Sequence, residues 1–154
     1  MAKICIVDTT FARVDMARYA IAVLKQLMPS AEIFRRTVPG LKDVPVEIMR
    51  MMEELECDAG MVFGWVGPTL TDKITYAAYS IAMQLVQLKL GKHVIDVTVH
   101  EDEAEDESSL LQIARDRAEK HAYNLYLLLT NPEELSRYAG KGKRQGYPDA
   151  GPID

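Results

Sequence analysis

Short apolar segments alternate with helical segments along almost the whole chain, and this alternation is the feature that most constrains the fold. The third apolar segment, residues 59–64 (AGMVFG), lacks a polar/apolar alternation, as is typical of a strand buried on both faces. Strands of this kind that are joined through helices form parallel sheets. The order βαβαβαβα with short connections therefore predicts an α/β fold in three layers, with a four-stranded parallel sheet flanked by helices.

Strands are predicted at residues 3–8, 31–38, 59–64 and 93–100, and helices at residues 14–28, 45–56, 72–90, 107–129 and 132–140. We find no interdomain linker, so we expect a single domain over residues 1–154, in which 131–154 form a C-terminal helix and tail. Residues 141–154 (KGKRQGYPDAGPID) are rich in glycine and charge, and this composition alone predicts disorder.

The composition is that of an ordinary globular protein, with 48% hydrophobic and 27% charged residues. A net charge of −5 argues against nucleic-acid binding, which usually needs a concentrated basic face. No apolar run approaches the length of a membrane span, and no leader is apparent. Cys5 and Cys57 lack the spacing of metal ligands and imply no disulfide framework, so we expect a reducing cytoplasm.

The helix predicted at residues 72–90 has more apolar surface than one chain needs to cover. Two apolar stripes run along it at helical spacing: Ile74, Ala78, Ile81, Leu85 and Leu88 form the first, and Tyr79, Met83, Val86 and Leu90 the second. A helix that is apolar on most sides is buried on most sides. This pattern favours a homo-oligomer, although the extra stripe could instead pack beneath the C-terminal segment.

A ligand is expected at the carboxyl ends of the strands, where open parallel sheets bind their ligands. Two aromatic residues, Phe11 and Trp65, fall in predicted turns at this edge, where either ring could stack on a flat heterocycle. Phe11 could alternatively cap the core. The chain has no Walker, GxGxxG or GxSxG motif, so its chemistry would rest on acid/base groups and positioning.

Several titratable residues are expected near the same edge. His100, Glu101 and Asp102 leave the fourth strand there, and His100 is a candidate proton shuttle. The acidic run 101–107 could hold Mg²⁺, but it is better explained as a solvated helix start that meets the helix dipole. Lys73 lies in a first helical turn, where the dipole disfavours a cation; this suggests a specific partner, the alternative being a simple exposed lysine.

The other two histidines are assigned structural roles. His121 lies on an apolar helical face with Ala118 and Ala122, which predicts a packing histidine whose polar atoms are satisfied. His93 opens the fourth strand, beside a glycine and a lysine.

The segments VDTTFARVD, TVPGLKDVP, VHEDEA and AGKGKRQGYPDAGP together resemble the archaeal-type riboflavin synthases, which are similar in fold to the 6,7-dimethyl-8-ribityllumazine synthases. The resemblance covers essentially the whole chain. The first-strand and tail motifs are specific to the riboflavin synthase branch, whereas VPG…P is shared with the lumazine synthases. It implies a flavodoxin-like sheet in strand order 2-1-3-4, a ring of five subunits and active sites between neighbouring subunits.

The resemblance also implies which residues bind the substrate. The segment after the second strand would hold a ribityl chain through backbone groups and an acidic side chain, the aromatic residue after the first strand would stack on the heterocycle, and the turn after the third strand would line the ring. The implied substrate-binding residues are Thr10, Phe11, Pro39, Gly40, Leu41, Lys42, Asp43, Gly64, Trp65 and Val66. The neighbouring subunit would supply the end of its fourth strand.

The loop after the third strand departs from the lumazine synthase pattern. Lumazine synthases have an Arg-Gly…Thr-x-His loop there for a substrate phosphate and for proton transfer, whereas this chain has GPTLTDK, with neither the arginine nor the histidine. A substrate without phosphate is therefore favoured. The implied reaction is the dismutation of two 6,7-dimethyl-8-ribityllumazine molecules to riboflavin and 5-amino-6-ribitylaminopyrimidinedione, catalysed by a four-carbon transferase.

This reaction requires no cofactor, although Mg²⁺ is possible. The implied proton-transfer groups are His100 with Glu101 or Asp102, or else Lys73. Lumazine synthase activity, a non-catalytic flavin- or lumazine-binding module and an acidic-face interaction protein remain alternatives. The basic tail residues Lys141, Lys143 and Arg144 could pair with the acidic run of a neighbouring subunit.

Overall fold

The computed structural model describes all 154 residues. Its elements are β1 (Lys3–Thr9), α1 (Met16–Leu27), β2 (Glu32–Val38), α2 (Val44–Glu54), β3 (Ala59–Val66), α3 (Leu70–Leu90), β4 (Val94–His100), α4 (Glu107–Thr130) and α5 (Pro132–Arg137). Short 3-10 turns, Leu41–Asp43 and Glu101–Glu103, follow β2 and β4. Apart from the end of α5, every bound lies within two residues of its predicted position. No helix combines the length and apolar character that crossing a lipid bilayer would require.

The four strands form one parallel sheet in the order β2-β1-β3-β4, which confirms the predicted fold class. Ile4 of β1 lies opposite both Ile33 of β2 and Ala59 of β3, so β1 and β3 form the centre of the sheet. β3 is buried along its whole length. One apolar core packs α1 and α4 against one face, and a second packs α2 and α3 against the other. All four carboxyl ends consequently meet at one edge.

The two apolar stripes of α3 face in different directions, one into the core and the other into the solvent. Tyr79, Met83 and Val86 of the second stripe are buried. In the first stripe, Ile81 and Leu85 are more than 60% exposed, so it does not pack beneath the C-terminal segment. A contiguous apolar helix face in solvent is typical of a protein–protein interface.

Cys5 and Cys57 form a disulfide, which corrects the expectation that they imply none. Pairing of β1 with β3 sets Cys5 opposite Gly60, and the chain that enters β3 brings Cys57 to a Cα–Cα distance of 6.0 Å from Cys5. The two residues are 52 positions apart, so their proximity depends on strand register rather than on local spacing. In the chain-entropy description, a link that closes a loop of this length stabilises the fold by about 4 kcal/mol.

The tail is packed onto α4, contrary to the disorder predicted from its composition. The buried guanidinium of Arg117 donates from Nε to the Gly146 carbonyl at 3.0 Å, and it also lies 3.9 Å from the ring centroid of Tyr147. Gly146 has a φ of 69°, and a Cβ there would lie 2.5 Å from Cγ of Arg117. Both its backbone angle and its close approach to Arg117 therefore require glycine.

His121 is buried on α4, as predicted, but Nδ1 of its imidazole has no hydrogen-bond partner. The expectation of a fully satisfied packing histidine is wrong in that respect. Burial lowers the pKa of His121 to about 4, and the nearby charge of Arg117 acts in the same direction. The residue is thus held neutral within the core.

Replacing Gly146 with alanine should release the tail, because the new Cβ would contact Arg117 in a backbone conformation that alanine disfavours. We expect faster amide hydrogen exchange across residues 142–150. Gly140→Ala is the matched control, since Gly140 also has a positive φ (76°) but a Cβ added there would meet nothing within 4 Å. Equal exchange in the two variants would contradict this assignment.

Gly64 in β3 is predicted to tolerate no side chain. A Cβ there would lie 2.7 Å from Oγ1 of Thr98 and 2.8 Å from Cδ2 of Leu41. Overpacking of this kind should lower the free energy of unfolding of Gly64→Ala by about 1–3 kcal/mol in chemical denaturation. The control is Gly40→Ala, because a Cβ at Gly40 meets nothing within 4 Å. An unchanged midpoint for Gly64→Ala would refute the prediction.

Candidate active site

The turns that follow β1 and β2 are joined by hydrogen bonds beyond the ends of the strands. The Thr10 amide donates to the Val38 carbonyl at 2.9 Å, and the Phe11 amide donates to the Pro39 carbonyl at 3.3 Å. The Thr10 hydroxyl also donates to the Pro39 carbonyl at 3.3 Å. Phe11 is 53% exposed, so it does not cap the core. The two turns thus present an aromatic ring to solvent at the carboxyl edge of the sheet.

The segment after β2 forms a tight 3-10 turn at the same edge. The Gly40 amide donates to the Asp43 carboxylate at 3.2 Å, which closes the turn on itself. Leu41 points inward and is buried, whereas Lys42 and Asp43 are exposed. The turn therefore exposes a cation and a carboxylate side by side.

A small cavity of about 190 Å³ opens between these turns and the start of α3. It is lined by Phe11, Leu41, Trp65, Val66, Asp72 and Thr75. The first four belong to the predicted substrate-binding set. Asp72 and Thr75 were not predicted. Asp72 also caps the start of α3, where its carboxylate accepts from the amide and the hydroxyl of Thr69.

The prediction that Trp65 lies in a turn is wrong. Trp65 lies within β3, and only 1% of it is exposed. β3 continues because Trp65 pairs with Val99 and Val66 pairs with His100 of β4. The indole Nε1 donates to the Glu101 carboxylate at 2.9 Å. Trp65 is accordingly a wall of the site rather than a free stacking surface.

Trp65 also borders a second, larger cavity of about 360 Å³ on the opposite side of the sheet edge. The other residues that line it are Arg13, Val14, Glu107, Ser108, Leu110 and Leu111. Arg13 crosses this region and donates to Glu101 at 3.3 Å and to Glu107 at 2.6 Å. It thereby ties the turn after β1 to the start of α4.

Three of the four predicted proton-transfer residues come together. Lys73 Nζ lies 3.0 Å from His100 Nδ1 and 2.8 Å from the Asp102 carboxylate, which confirms a specific partner for this lysine. An ammonium group only donates, so His100 Nδ1 accepts and the imidazole proton is on Nε2. Burial and the Lys73 charge lower the pKa of His100. The hydrogen bond from Lys73 lowers the pKa of the exposed Asp102.

The remaining acidic residues are distributed among separate partners. Glu101 faces Trp65 and Arg13, while Glu103 receives two hydrogen bonds from Arg117 at 2.7 and 2.8 Å. Asp106 caps α4 by accepting from the Ser109 amide, as expected of a helix start. No three histidine, cysteine or carboxylate side chains of the chain converge on one point. Mg²⁺ would therefore have to take most of its oxygen ligands from water, substrate or another subunit.

The prediction missed a polar group directly beneath His100. Asp96 accepts hydrogen bonds from the hydroxyls of Tyr76 (2.9 Å), Tyr79 (3.2 Å) and Thr98 (2.6 Å). The sequence carries a signal for it: DVTVH places polar residues at every second position of a strand that is otherwise apolar. In a strand, such residues share one face.

Comparison with known proteins agrees with this architecture. The sequence model of the 6,7-dimethyl-8-ribityllumazine synthase family matches residues 1–131. A riboflavin synthase of Archaeoglobus fulgidus is 48% identical over 151 residues, which cover 98% of each chain. Riboflavin synthases of Aeropyrum pernix (51% identity, 96% of each chain) and Methanothermobacter thermautotrophicus (44% identity, 99% of this chain and 100% of the relative) are also similar.

These similarities extend over the same span as the parallel sheet, the turns at its carboxyl edge and the docked tail. Family membership implies a lumazine ligand, as product or as substrate, and an oligomeric assembly. The chain belongs to the 6,7-dimethyl-8-ribityllumazine synthase family.

Proposed function

We propose that this chain is a riboflavin synthase, a transferase that moves a four-carbon unit between two molecules of 6,7-dimethyl-8-ribityllumazine. The observation that carries the proposal is identity of 44–51% over nearly the whole chain with proteins named riboflavin synthase. The loop between β3 and α3 supports it, because this loop lacks the arginine and histidine that a phosphorylated substrate would need. Riboflavin and the pyrimidinedione together contain every atom of two lumazines, so the reaction needs no oxidant or reductant.

One lumazine would bind at the edge formed by the turns after β1 and β2. Phe11 offers an exposed ring for the heterocycle, and the 190 Å³ cavity beside it accepts the ring edge. The ribityl chain, with its several hydroxyls, would meet Lys42 and Asp43, which are exposed in the adjacent turn. Residues Pro39 and Gly40 shape that turn.

The group formed by Lys73, His100 and Asp102 would handle protons. The reaction begins with loss of a proton from the C7 methyl of one lumazine, whose ring delocalises the resulting negative charge. That proton passes to water, because Nε2 of the neutral His100 already carries a proton and Nδ1 faces Lys73. His100 can then donate its Nε2 proton to the second lumazine, which takes on the negative charge when the carbanion attacks it, while Nδ1 takes a proton from Lys73 and water returns one to Lys73. Asp102 holds the Lys73 ammonium in place at 2.8 Å. Glu101 faces Trp65 and Arg13, so we assign it a supporting role.

We further propose a ring of five subunits with active sites between neighbours. The cavity of about 190 Å³ beside Phe11 is smaller than the roughly 300–1,000 Å³ typical of ligand pockets, so a second chain would have to complete the site on this side of Trp65. The exposed apolar stripe on α3 supplies a surface through which a second chain can complete it. The exposed basic residues of the tail, Lys141, Lys143 and Arg144, would pair with an acidic run across such an interface.

We also propose that turnover needs no cofactor and that the protein lies in the cytoplasm. The chemistry requires no cofactor, and a role for Mg²⁺ is tested by adding EDTA to the turnover assay. We propose a cytoplasmic location; the disulfide between Cys5 and Cys57 is unusual in that compartment except in intracellular proteins of hyperthermophiles.

Lumazine synthase activity is the second candidate, because the family model that matches residues 1–131 carries that name. The two activities are separated by their substrates. A lumazine synthase would form the lumazine from the pyrimidinedione and a phosphorylated four-carbon sugar, whereas a riboflavin synthase consumes the lumazine. A binding module would bind the lumazine and leave it unchanged.

Purified protein incubated with 6,7-dimethyl-8-ribityllumazine should produce riboflavin, whose absorbance measures the turnover. His100→Asn should lower kcat roughly 10²-fold or more, because it removes a positioned proton-transfer group. His93→Asn is the control, since His93 is exposed and immediately precedes the start of β4, whereas His100 lies at the end of that strand. Saturable binding without turnover by the unmodified protein would instead establish a binding module, and full activity of His100→Asn would exclude His100 from proton transfer.

Leu85→Lys should dissociate the assembly, because it sets a charge in the exposed apolar stripe of α3. Light scattering should show a smaller mass, circular dichroism should be unchanged, and turnover should fall with the loss of shared sites. Gln26→Lys adds the same charge at an exposed position of α1 and serves as the control. Full turnover by a Leu85→Lys monomer would argue against sites between subunits.

A further inference from the structure

We infer that Tyr76, anchored by Asp96, is a positioning residue that fixes the ring plane of His100 beside Lys73. The inference deepens the proposed function, because it rests on the role proposed for His100. The Asp96 carboxylate and the hydroxyls that it binds lie outside the predicted substrate-binding turns. Tyr76 acts through His100 and is not assigned contact with substrate.

The geometry comes from two elements that face each other. Asp96, Thr98 and His100 alternate along β4 and so share one face of the sheet. Lys73 and Tyr76 lie three residues apart on α3, one turn above the other. The Tyr76 ring meets His100 edge-on, with centroids 4.9 Å apart and planes at 82°. His100 is therefore held by a hydrogen bond from Lys73 and by an aromatic contact from Tyr76.

Asp96 fixes the other end of the Tyr76 side chain. Its Oδ2 accepts from the Tyr76 hydroxyl at 2.9 Å, while its Oδ1 accepts from Tyr79 and Thr98. Burial raises the pKa of Asp96, which shows that the carboxylate sits where its charge is disfavoured. Burying a carboxylate is costly unless its hydrogen bonds are satisfied, and here three hydroxyls satisfy it. Tyr79 and Thr98 hold the Asp96 carboxylate in place, so its bond to the Tyr76 hydroxyl leaves that side chain little freedom to rotate.

The lysine alone would hold His100 poorly. Lys73 has a long flexible side chain and contributes one donor at a single point, so it does not define the plane of the imidazole. An edge-on aromatic contact does define that plane. With both contacts, Nδ1 stays directed at Lys73 and the proton stays on Nε2.

Other charged groups face His100 and bear on any titration of it. On α3 it meets the Lys73 cation, and on the turn after β4 it lies near Asp102 and Glu103. From α4 it feels the Arg117 cation. Beneath it lies the Tyr76 hydroxyl bound to Asp96, and burial raises the pKa of that tyrosine to about 12. Tyr76 is thus neutral at every pH at which His100 titrates.

The test compares Tyr76→Phe with Tyr79→Phe in the intact protein. Each variant removes one hydroxyl from Asp96, but only Tyr76 contacts His100. The readout is the imidazole nitrogen and ring-proton signals of His100 in proton–nitrogen correlation spectra, which report the tautomer. The chain has three histidines, so His93→Asn and His121→Gln variants assign the signals.

In the unmodified protein we expect a single His100 tautomer with its proton on Nε2. Tyr76→Phe should give averaged nitrogen shifts, displaced ring-proton signals and a shifted titration midpoint, while Tyr79→Phe should retain the original His100 signals. In turnover, Tyr76→Phe should lower kcat roughly 5- to 50-fold, with KM changed by no more than about twofold. Asp96→Asn, which keeps the shape of the side chain, should move the His100 signals in the same direction.

Two results would overturn the inference. One is a Tyr76→Phe protein whose His100 signals match the original. The other is an equal displacement in Tyr79→Phe, which would mean that Asp96 supports the whole region without any particular effect on His100. The spectra decide this even if the protein makes no riboflavin, so failure of the positioning role and failure of the proposed function are separable.

Discussion

The parallel direction of all four strands is the constraint on which the rest of the structure depends. The chain must return to the same end of the sheet before each new strand begins. A helix forms every one of these crossovers, and the helices bury both faces of the sheet. The turns after the strands then collect at one edge, where free backbone groups and polar side chains are tolerated. Residues distant in the chain become neighbours in this way without any local sequence relation: Phe11 and Asp72 line one cavity, and Lys73 meets His100.

Charges near this edge are arranged in small separate groups rather than as one cluster. Arg117 is buried, yet Glu103, the Thr98 carbonyl and the Gly146 carbonyl accept hydrogen bonds from four of its five N–H donors. A buried cation is acceptable only with extensive pairing of this kind. The turn after β4 is fixed by this arginine from one side and by Lys73 from the other. The position of His100 is therefore set by several elements at once, including the tail.

The fold could be predicted because its signals are local: apolar segments, helical spacing and proline or glycine at the turns. The partner of Lys73 could be predicted in kind from an unfavourable helix dipole, although not by name. Trp65 was misplaced because the end of a strand depends on how far its neighbour continues to pair. The disulfide and the hydroxyls around Asp96 depend on register and on helix rotation over the sheet, which a single sequence does not display.

The link between Cys5 and Cys57 makes the first third of the chain a covalent ring. The ring contains β1, α1, β2 and α2, and both turns that carry Phe11 and Gly40 lie within it. A protease that cuts either exposed turn opens the ring but releases no fragment, because the disulfide between Cys5 and Cys57 still joins the two halves. These two loops of the candidate site are thus also places at which a single cut cannot divide the oxidised chain into two separate pieces.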